Sequence, residues 1–142
     1  GERVTLTGPV DAGELVAHYC AGDVFAMPVR TEGGGFSVEG LGIVFLESQA
    51  CGVPTVAGNG GGAPESVLDG RTGDVVDGTD TDAVADDIAR LLTDPGRAQR
   101  YAAEGRRYVE EAWHWHILGE QLSAVLDGDG RRPPRHSWNW RG

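Results

Sequence analysis

Residues 33–47 read GGGFSVEGLGIVFLE, and this stretch decides the fold. A run of glycines precedes Glu39, and the apolar residues that follow have helical spacing and carry Glu47. A strand-like segment, PTVAG at residues 54–58, comes directly after that helix. A glycine-rich loop that leads into a helix N-terminus is how α/β proteins present backbone N–H groups to a phosphate. We therefore expect the loop before this helix to bind a ligand.

Strand and helix patterns alternate on both sides of this stretch. The strand patterns lie at residues 4–7, 23–28, 55–57 and 72–76. The helical patterns lie at residues 11–21, 41–50, 63–68, 80–93, 95–111 and 113–126. Such alternation indicates an α/β protein with a Rossmann-like parallel sheet. Because residues 23–28 form a continuous apolar run, we expect that strand to be buried on both faces.

The ends of two helices can be predicted from single residues. Asp11 is suited to cap the first helix, because its carboxylate can accept hydrogen bonds from the first turn. Gly52 and then Pro54 should end the helix that carries Glu47, since glycine adopts the left-handed conformation and proline cannot continue a helix.

Length, charge and cysteine content limit the function. The 142 residues are enough for one domain, and no apolar run is long enough to cross a bilayer. The net charge of -10 argues against a nucleic-acid surface. All twelve basic residues are arginine, so no lysine here can neutralise a phosphate. Cys20 and Cys51 lack CxxC spacing, so we expect two small buried side chains, no disulfide framework and a cytoplasmic protein.

The two ends of the chain have different characters. The first residue is Gly1, and a strand pattern follows almost at once, so we expect a piece of a longer protein. Residues 128–142 hold four arginines, one aspartate and two adjacent prolines. We expect a domain at residues 1–127 and a mobile basic tail at 128–142, with a basic interaction arm as the alternative for the tail.

Backbone and carboxylate groups near the glycine loop suggest the chemistry. In an open parallel sheet, ligands bind at the carboxyl ends of the strands. The N–H groups of Gly42, Ile43 and Val44 should face an anion and suit a diphosphate with no metal between. Glu39 can point into the cleft, and Glu47 can accept hydrogen bonds from a ribose diol or from sugar hydroxyls. Two solvated helix acids are the alternative for an arbitrary glutamate pair, but burial within IVFLESQA would leave Glu47 in need of a partner.

A family resemblance rests on these residues. EGLGIVFLE followed by SQACGVPTVAGNGGGAPE resembles the signature of retaining GT-B glycosyltransferases of family 4, also called group 1. The flanks DVFAMPVRTEGGG and EEAWHWHILGEQL are similar to actinobacterial GDP-mannose-dependent mannosyltransferases that build phosphatidylinositol mannosides. The resemblance covers about residues 4–126 and implies an incomplete C-terminal half of a GT-B fold.

The resemblance implies a role for each candidate residue. Glu39 would be the catalytic residue, which contacts the donor sugar hydroxyls and helps position the anomeric carbon. Glu47 would hold the ribose hydroxyls. Backbone groups would bind the rest of the donor: Val10 the nucleobase, Leu41 and Gly42 the sugar, Ile43 and Val44 the diphosphate.

The implied reaction is transfer of a hexose with retention of configuration and no obligatory metal or other cofactor. The expected donor is GDP-mannose, and the acceptor a lipid-linked molecule or a glycan that is bound by an N-terminal domain this chain lacks. That domain would also give any peripheral attachment at the inner face of the membrane. Two open alternatives are a UDP-sugar donor with the same fold and a non-catalytic remnant. A dinucleotide-binding oxidoreductase is disfavoured, because no GxGxxG follows the first strand.

The same resemblance predicts what is missing. The first two strands and helices of the C-terminal domain would precede residue 1, together with the family's arginine and lysine for the diphosphate. Arg30 and Arg71 are the nearest loop arginines that could substitute. In the usual strand order 3-2-1-4-5-6, the first strand pattern here would lack its neighbours while the other three stay paired. We therefore expect an isolated chain with exposed strand edges and no catalysis of its own.

Overall fold

The computed structural model describes residues 3–31 and 38–128. Three parallel strands form one sheet in the order β1-β2-β3, with β1 at Phe25–Met27, β2 at Thr55–Gly58 and β3 at Gly73–Val76. The helices are α1 (Ala12–Ala21), α2 (Ile43–Ala50), α3 (Ala63–Ser66), α4 (Thr81–Thr93), α5 (Pro95–Tyr108) and α6 (Trp115–Leu126). A π-helical turn, Val109–Trp113, separates α5 from α6. The predicted α/β class with a parallel sheet is confirmed.

The strand predicted at residues 4–7 is wrong. These residues are not part of any strand, and Val4 is 74% and Leu6 92% exposed. A strand forms only where a neighbour satisfies its N–H and C=O groups. Within the described residues, the sheet contains β1, β2 and β3 alone, so residues 4–7 have no strand beside them. The expectation that the other three strands stay paired is confirmed.

β1 is less buried than its apolar sequence predicted. Phe25 and Met27 are half-buried and Ala26 is exposed, whereas every residue of β2 is buried. β1 lies at the edge of the described sheet, while β2 has a neighbour on each side. The prediction of burial on both faces is therefore wrong for β1.

The core lies on both faces of β2. Ala57 packs with Phe45, Ala63 and Val67 on one face, which α2 and α3 cover. Val56 packs on the other face in a second cluster, which α4 and α5 cover and which contains Val76, Leu91 and Tyr101. Because successive side chains of a strand point to opposite faces, two adjacent residues of β2 serve both clusters.

A buried polar contact fastens α5 to the sheet. Asp74 on β3 is 5% exposed, and its carboxylate accepts a hydrogen bond from the Tyr101 hydroxyl at 2.7 Å. The same carboxylate forms an ion pair with Arg97 at 2.5 Å. The Arg97 guanidinium also lies 5.0 Å from the centroid of the Tyr101 ring. A buried carboxylate is tolerated here because it has both a cation and a hydroxyl donor.

The predicted helix ends are confirmed. The Asp11 carboxylate accepts two hydrogen bonds from the first turn of α1, each at 2.9 Å. Gly52 follows α2 with a left-handed φ of 71°, and Pro54 comes two residues later. Asp80 and Asp94 cap α4 and α5 in the same manner as Asp11. These interactions span only a few residues, so the local sequence was enough to predict them.

The prediction for the cysteines is partly wrong. Both thiols are free, which agrees with the absence of a disulfide framework. Cys20 is exposed and Cys51 is half-buried, so neither is the buried side chain that we expected. α1, which carries Cys20, has no buried residue, because it lies at the open edge of the sheet. The predicted tail falls outside the described residues except for Gly128.

Stability should fall at alkaline pH because of the tyrosines. Burial raises the pKa of Tyr19, Tyr101 and Tyr108, and hydrogen bonds to Glu47 and Asp74 raise the pKa of the first two further. A pKa raised in the folded state gives stability that is complete below the unfolded pKa and is lost as the pH rises through the folded one. We expect the urea midpoint of the chain, measured by circular dichroism, to fall above about pH 10. A constant midpoint while phenolate absorbance grows would contradict this.

Candidate functional site

A pocket of about 370 Å³ opens at the carboxyl end of β1. Its lining residues are Met27, Pro28, Val29, Arg30, Val38 and Glu39. In an open parallel sheet the carboxyl ends of the strands form one edge, which is where ligands bind. The volume lies within the range of small-molecule sites, roughly 300–1,000 Å³. The family resemblance implied that Glu39 is the catalytic residue, and Glu39 is one of the residues that line this pocket.

Glycines at the end of β2 and in the loop after it hold the wall of this pocket in place. A Cβ atom at Gly58 would lie 1.9 Å from the carbonyl oxygen of Val29, and one at Gly61 would lie 2.1 Å from that of Glu39. The N–H of Gly62 also donates to the Glu39 carbonyl oxygen at 2.9 Å. These glycines therefore pack against the backbone of Val29 and of Glu39, two residues that line the pocket. A larger residue at either glycine would push that backbone away.

The N-terminus of α2 interacts with Glu39 itself. The carboxylate Oε1 of Glu39 accepts a hydrogen bond from the Gly42 N–H at 3.1 Å. Gly42 is buried and has a left-handed φ of 76°, a conformation that glycine adopts without strain. The Gly42 N–H, which we predict to face a ligand, therefore already donates to the Glu39 carboxylate. A ligand at this N–H would compete with Glu39 for it.

The next two candidate backbone donors lie in the first turn of α2. Ile43 and Val44 open α2, and the N–H groups of a first helical turn have no acceptor within the helix. Ile43 is exposed and Val44 is half-buried. The carbonyl oxygen of Leu41 accepts a hydrogen bond from the Ser66 hydroxyl, which fixes the backbone just before the helix. The predicted contacts of Leu41, Ile43 and Val44 with a donor stay predictions.

Glu47 has a partner that the sequence did not reveal. Its carboxylate Oε2 accepts a hydrogen bond from the Tyr19 hydroxyl at 2.9 Å. Burial raises the pKa of Tyr19, and the hydrogen bond to Glu47 raises it further. The sequence showed Tyr19 only as an apolar position of α1, because the contact joins residues 28 positions apart. Glu39 and Glu47 therefore have different hydrogen-bond partners in the chain.

The remaining candidates lie in two regions. Val10 is half-buried and lies in the segment that leads into α1. Arg30 lies in the pocket wall, whereas Arg71 lies 3.9 Å from Glu104. Of the two arginines considered for the diphosphate, Arg30 is thus the one placed at the pocket.

Between residues 3 and 31 and between 38 and 128, no group of three or more His, Cys, Asp or Glu side chains is arranged to hold a metal ion. The expectation of a reaction without a metal stays a prediction.

In residues 3–31 and 38–128, no helix has both the length and the hydropathy that are needed to cross a bilayer.

Comparisons with known proteins give the family. The model of the family described as "Glycosyl transferases group 1" matches residues 1–108. The chain is 52% identical over 136 residues to the "GDP-mannose-dependent alpha-(1-6)-phosphatidylinositol monomannoside mannosyltransferase" of Mycolicibacterium smegmatis, which covers 96% of this chain and 35% of that protein. The protein of the same name from Mycobacterium tuberculosis strain H37Rv is 54% identical over 128 residues, with 90% and 33% covered. The chain thus spans about a third of the length of these relatives.

Solved structures show the same fold. A sucrose-phosphate synthase from Thermosynechococcus elongatus superposes with a TM-score of 0.78 at 31% identity, over 90% of this chain and 30% of that one. Anabaena Alr3699/HepE in complex with UDP and glucose gives a TM-score of 0.68 at 22% identity, over 78% and 29%. The second likeness concerns the fold alone.

Proposed function

Because this chain belongs to the group 1 glycosyl transferases and has part of a GT-B fold, we propose that it binds the sugar donor of a retaining glycosyltransferase. The proposed donor is GDP-mannose, from which the complete protein would transfer mannose to a lipid-linked molecule or a glycan. Relatives at 52% and 54% identity, whose names state dependence on GDP-mannose, support this donor. The chain covers about a third of those relatives, so turnover is proposed for the complete protein.

The observation that carries the proposal is the place of Glu39 in the pocket wall, directly before the N-terminus of α2. A helix N-terminus has partial positive charge and unpaired N–H donors, which suit a diphosphate. A carboxylate provides acceptors only, which suits sugar hydroxyls. A nucleotide sugar is a ligand that needs both groups side by side.

The same two features suit the reaction. As the bond between the anomeric carbon and the diphosphate breaks, the sugar gains positive charge and the diphosphate gains negative charge. The Glu39 carboxylate would stabilise the first and the α2 N-terminus the second. The departing diphosphate would take the proton of the acceptor hydroxyl on the same face, so the configuration is retained. No metal is required in this scheme.

The nucleoside would lie along α1 and α2. We assign the ribose hydroxyls to Glu47 and the nucleobase to the backbone near Val10. A carboxylate has about four acceptor positions, so the single hydrogen bond from Tyr19 leaves Glu47 able to accept from a diol. The acceptor and any contact with the cytoplasmic membrane face are assigned to parts of the complete protein outside this chain.

Calorimetry on the complete protein tests this function. We expect binding of GDP and GDP-mannose but weaker binding of UDP. Glu47→Ala should lower the affinity for GDP at least about tenfold, because a charged acceptor of two hydroxyl hydrogen bonds is lost. Glu110→Ala, at an exposed glutamate on the π-helical turn, is the control and should bind GDP like the wild type.

Two results would contradict the proposal in different ways. Tighter binding of UDP than of GDP would favour the UDP-sugar alternative. A folded protein that binds no nucleotide would favour the non-catalytic remnant.

A further inference from the structure

The contact between Tyr19 and Glu47 joins α1 to α2 at a residue assigned to the donor. The hydroxyl of Tyr19 donates to Oε2 of Glu47 at 2.9 Å, and both side chains are half-buried. A glutamate has three rotatable side-chain bonds, so at a half-exposed helix position it would otherwise sample several rotamers. The hydrogen bond from Tyr19 restricts this freedom.

The position of the Tyr19 hydroxyl is itself set by the core. Its ring packs edge-on against Phe25, with centroids 5.5 Å apart and an interplanar angle of 64°. Phe25 packs in the same way against Phe45, at 6.0 Å and 74°. Phe45 is fully buried on α2, the helix that carries Glu47. Three rings thus connect the buried core of α2 to the hydroxyl that contacts its carboxylate.

The direction of the hydrogen bond is fixed at neutral pH. Burial and the neighbouring carboxylate raise the pKa of Tyr19, so the phenol keeps its proton. A carboxylate can only accept, so the hydroxyl must donate and its proton is directed at Oε2.

We propose that Tyr19 is a positioning residue for the ribose: it holds one oxygen of Glu47 so that the remaining acceptors face the two ribose hydroxyls. This inference rests on the proposed function, in which Glu47 binds the ribose. A carboxylate that is already ordered loses less conformational freedom when the nucleotide binds. Tyr19 thereby increases the preference for a nucleotide that has both hydroxyls.

A purely structural role would also explain the contact, because it ties α1 to α2. The two roles differ in their dependence on the ligand. A structural role affects every nucleotide equally. A positioning role affects only nucleotides that carry ribose hydroxyls, since its effect passes through the hydrogen bonds that Glu47 makes with them.

Calorimetry on the complete protein separates these roles, with GDP and 2′,3′-dideoxy-GDP as the two probes. Tyr19→Phe removes the hydroxyl and keeps the ring. We expect it to lower the affinity for GDP about tenfold, as for loss of a hydrogen bond to a charged group, and to leave the affinity for the dideoxy nucleotide unchanged. In a Glu47→Ala background, Tyr19→Phe should have no further effect.

Tyr108→Phe is the matched control. The Tyr108 hydroxyl also makes a hydrogen bond, to the carbonyl oxygen of Glu65 at 3.1 Å, but it lies on α5 and not beside Glu47. This variant should bind both nucleotides like the wild type.

Three outcomes would overturn the inference. An equal loss for both nucleotides in Tyr19→Phe would show a structural role and would leave the proposed function standing. Wild-type affinity for GDP in Tyr19→Phe would show that Glu47 needs no positioning. A wild-type protein that binds both nucleotides equally would remove the ribose role of Glu47, and the proposed function would fail at that point together with this inference.

Discussion

Glu39→Gln in the complete protein is expected to lower kcat about 10²–10³-fold, the range found when one preorganised electrostatic group is removed from an active site. The amide keeps the size of the side chain and an oxygen that can still accept from the Gly42 N–H, so the loop before α2 should keep its conformation. What would be lost is the negative charge that we propose lies beside the anomeric carbon. Because that charge acts mainly on the transition state, KM for GDP-mannose should change little. Initial rates of mannose transfer measure both constants.

The control for Glu39→Gln removes the same charge elsewhere. Glu110→Gln lies on the π-helical turn, where Glu110 is exposed and pairs with Arg106 at 2.9 Å. It should have wild-type kcat. If Glu39→Gln raised KM and left kcat unchanged, Glu39 would only bind the ground state of the donor, and the catalytic assignment would be wrong.

Gly58→Ala is expected to destabilise the chain by about 3 kcal/mol or more, at the upper end of the cost of inserting an atom into a packed interior. The new Cβ would lie 1.9 Å from the carbonyl oxygen and 2.4 Å from the nitrogen of Val29. Both are backbone atoms, so no side-chain rotation relieves the overlap. Relief requires that β2 and the segment after β1 move apart, which breaks the pairing of the two strands. Urea unfolding followed by circular dichroism measures the loss.

Gly119→Ala is the matched control for this substitution. Gly119 lies in α6, and no heavy atom lies within 4 Å of the Cβ position. Alanine is favoured over glycine inside a helix by about 0.5–1 kcal/mol, so this variant should be as stable as the wild type or slightly more stable. Equal stability of Gly58→Ala and wild type would mean that the wall of the pocket does not depend on this close approach.

Predictions from sequence succeeded where the deciding interactions were local. Asp11 caps α1, and Gly52 ends α2, because each acts on residues within one turn. The alternation of strand and helix patterns was enough for the α/β class. The spacing of Glu39 and Glu47, together with the glycines around them, led to the family, which the match to the family model confirms. Glu39 lies in the wall of the pocket at the carboxyl end of β1.

The predictions that failed concern partners distant in the chain. Residues 4–7 have a strand-like sequence but no strand beside them, and an apolar pattern cannot report whether a neighbour is present. Cys20 has a sequence typical of a buried position, and it is exposed because α1 lies at the open edge of the sheet.

The sequence by itself therefore determined the order of α1 to α6 and of the paired strands β1, β2 and β3, together with the start of α1 and the end of α2. These features follow from periodicity and from contacts within a few residues. The tertiary structure alone decided that Tyr19 donates to Glu47 and that Gly61 packs against the backbone of Glu39. Gly61 and Glu39 are 22 positions apart in the chain, and Tyr19 and Glu47 are 28 positions apart. These contacts depend on how α1, α2 and the loop after β2 pack around one sheet. Packing brings hydrogen-bond donors to acceptors and limits the space between segments that are distant in the chain. The local sequence of one segment contains no information about the other.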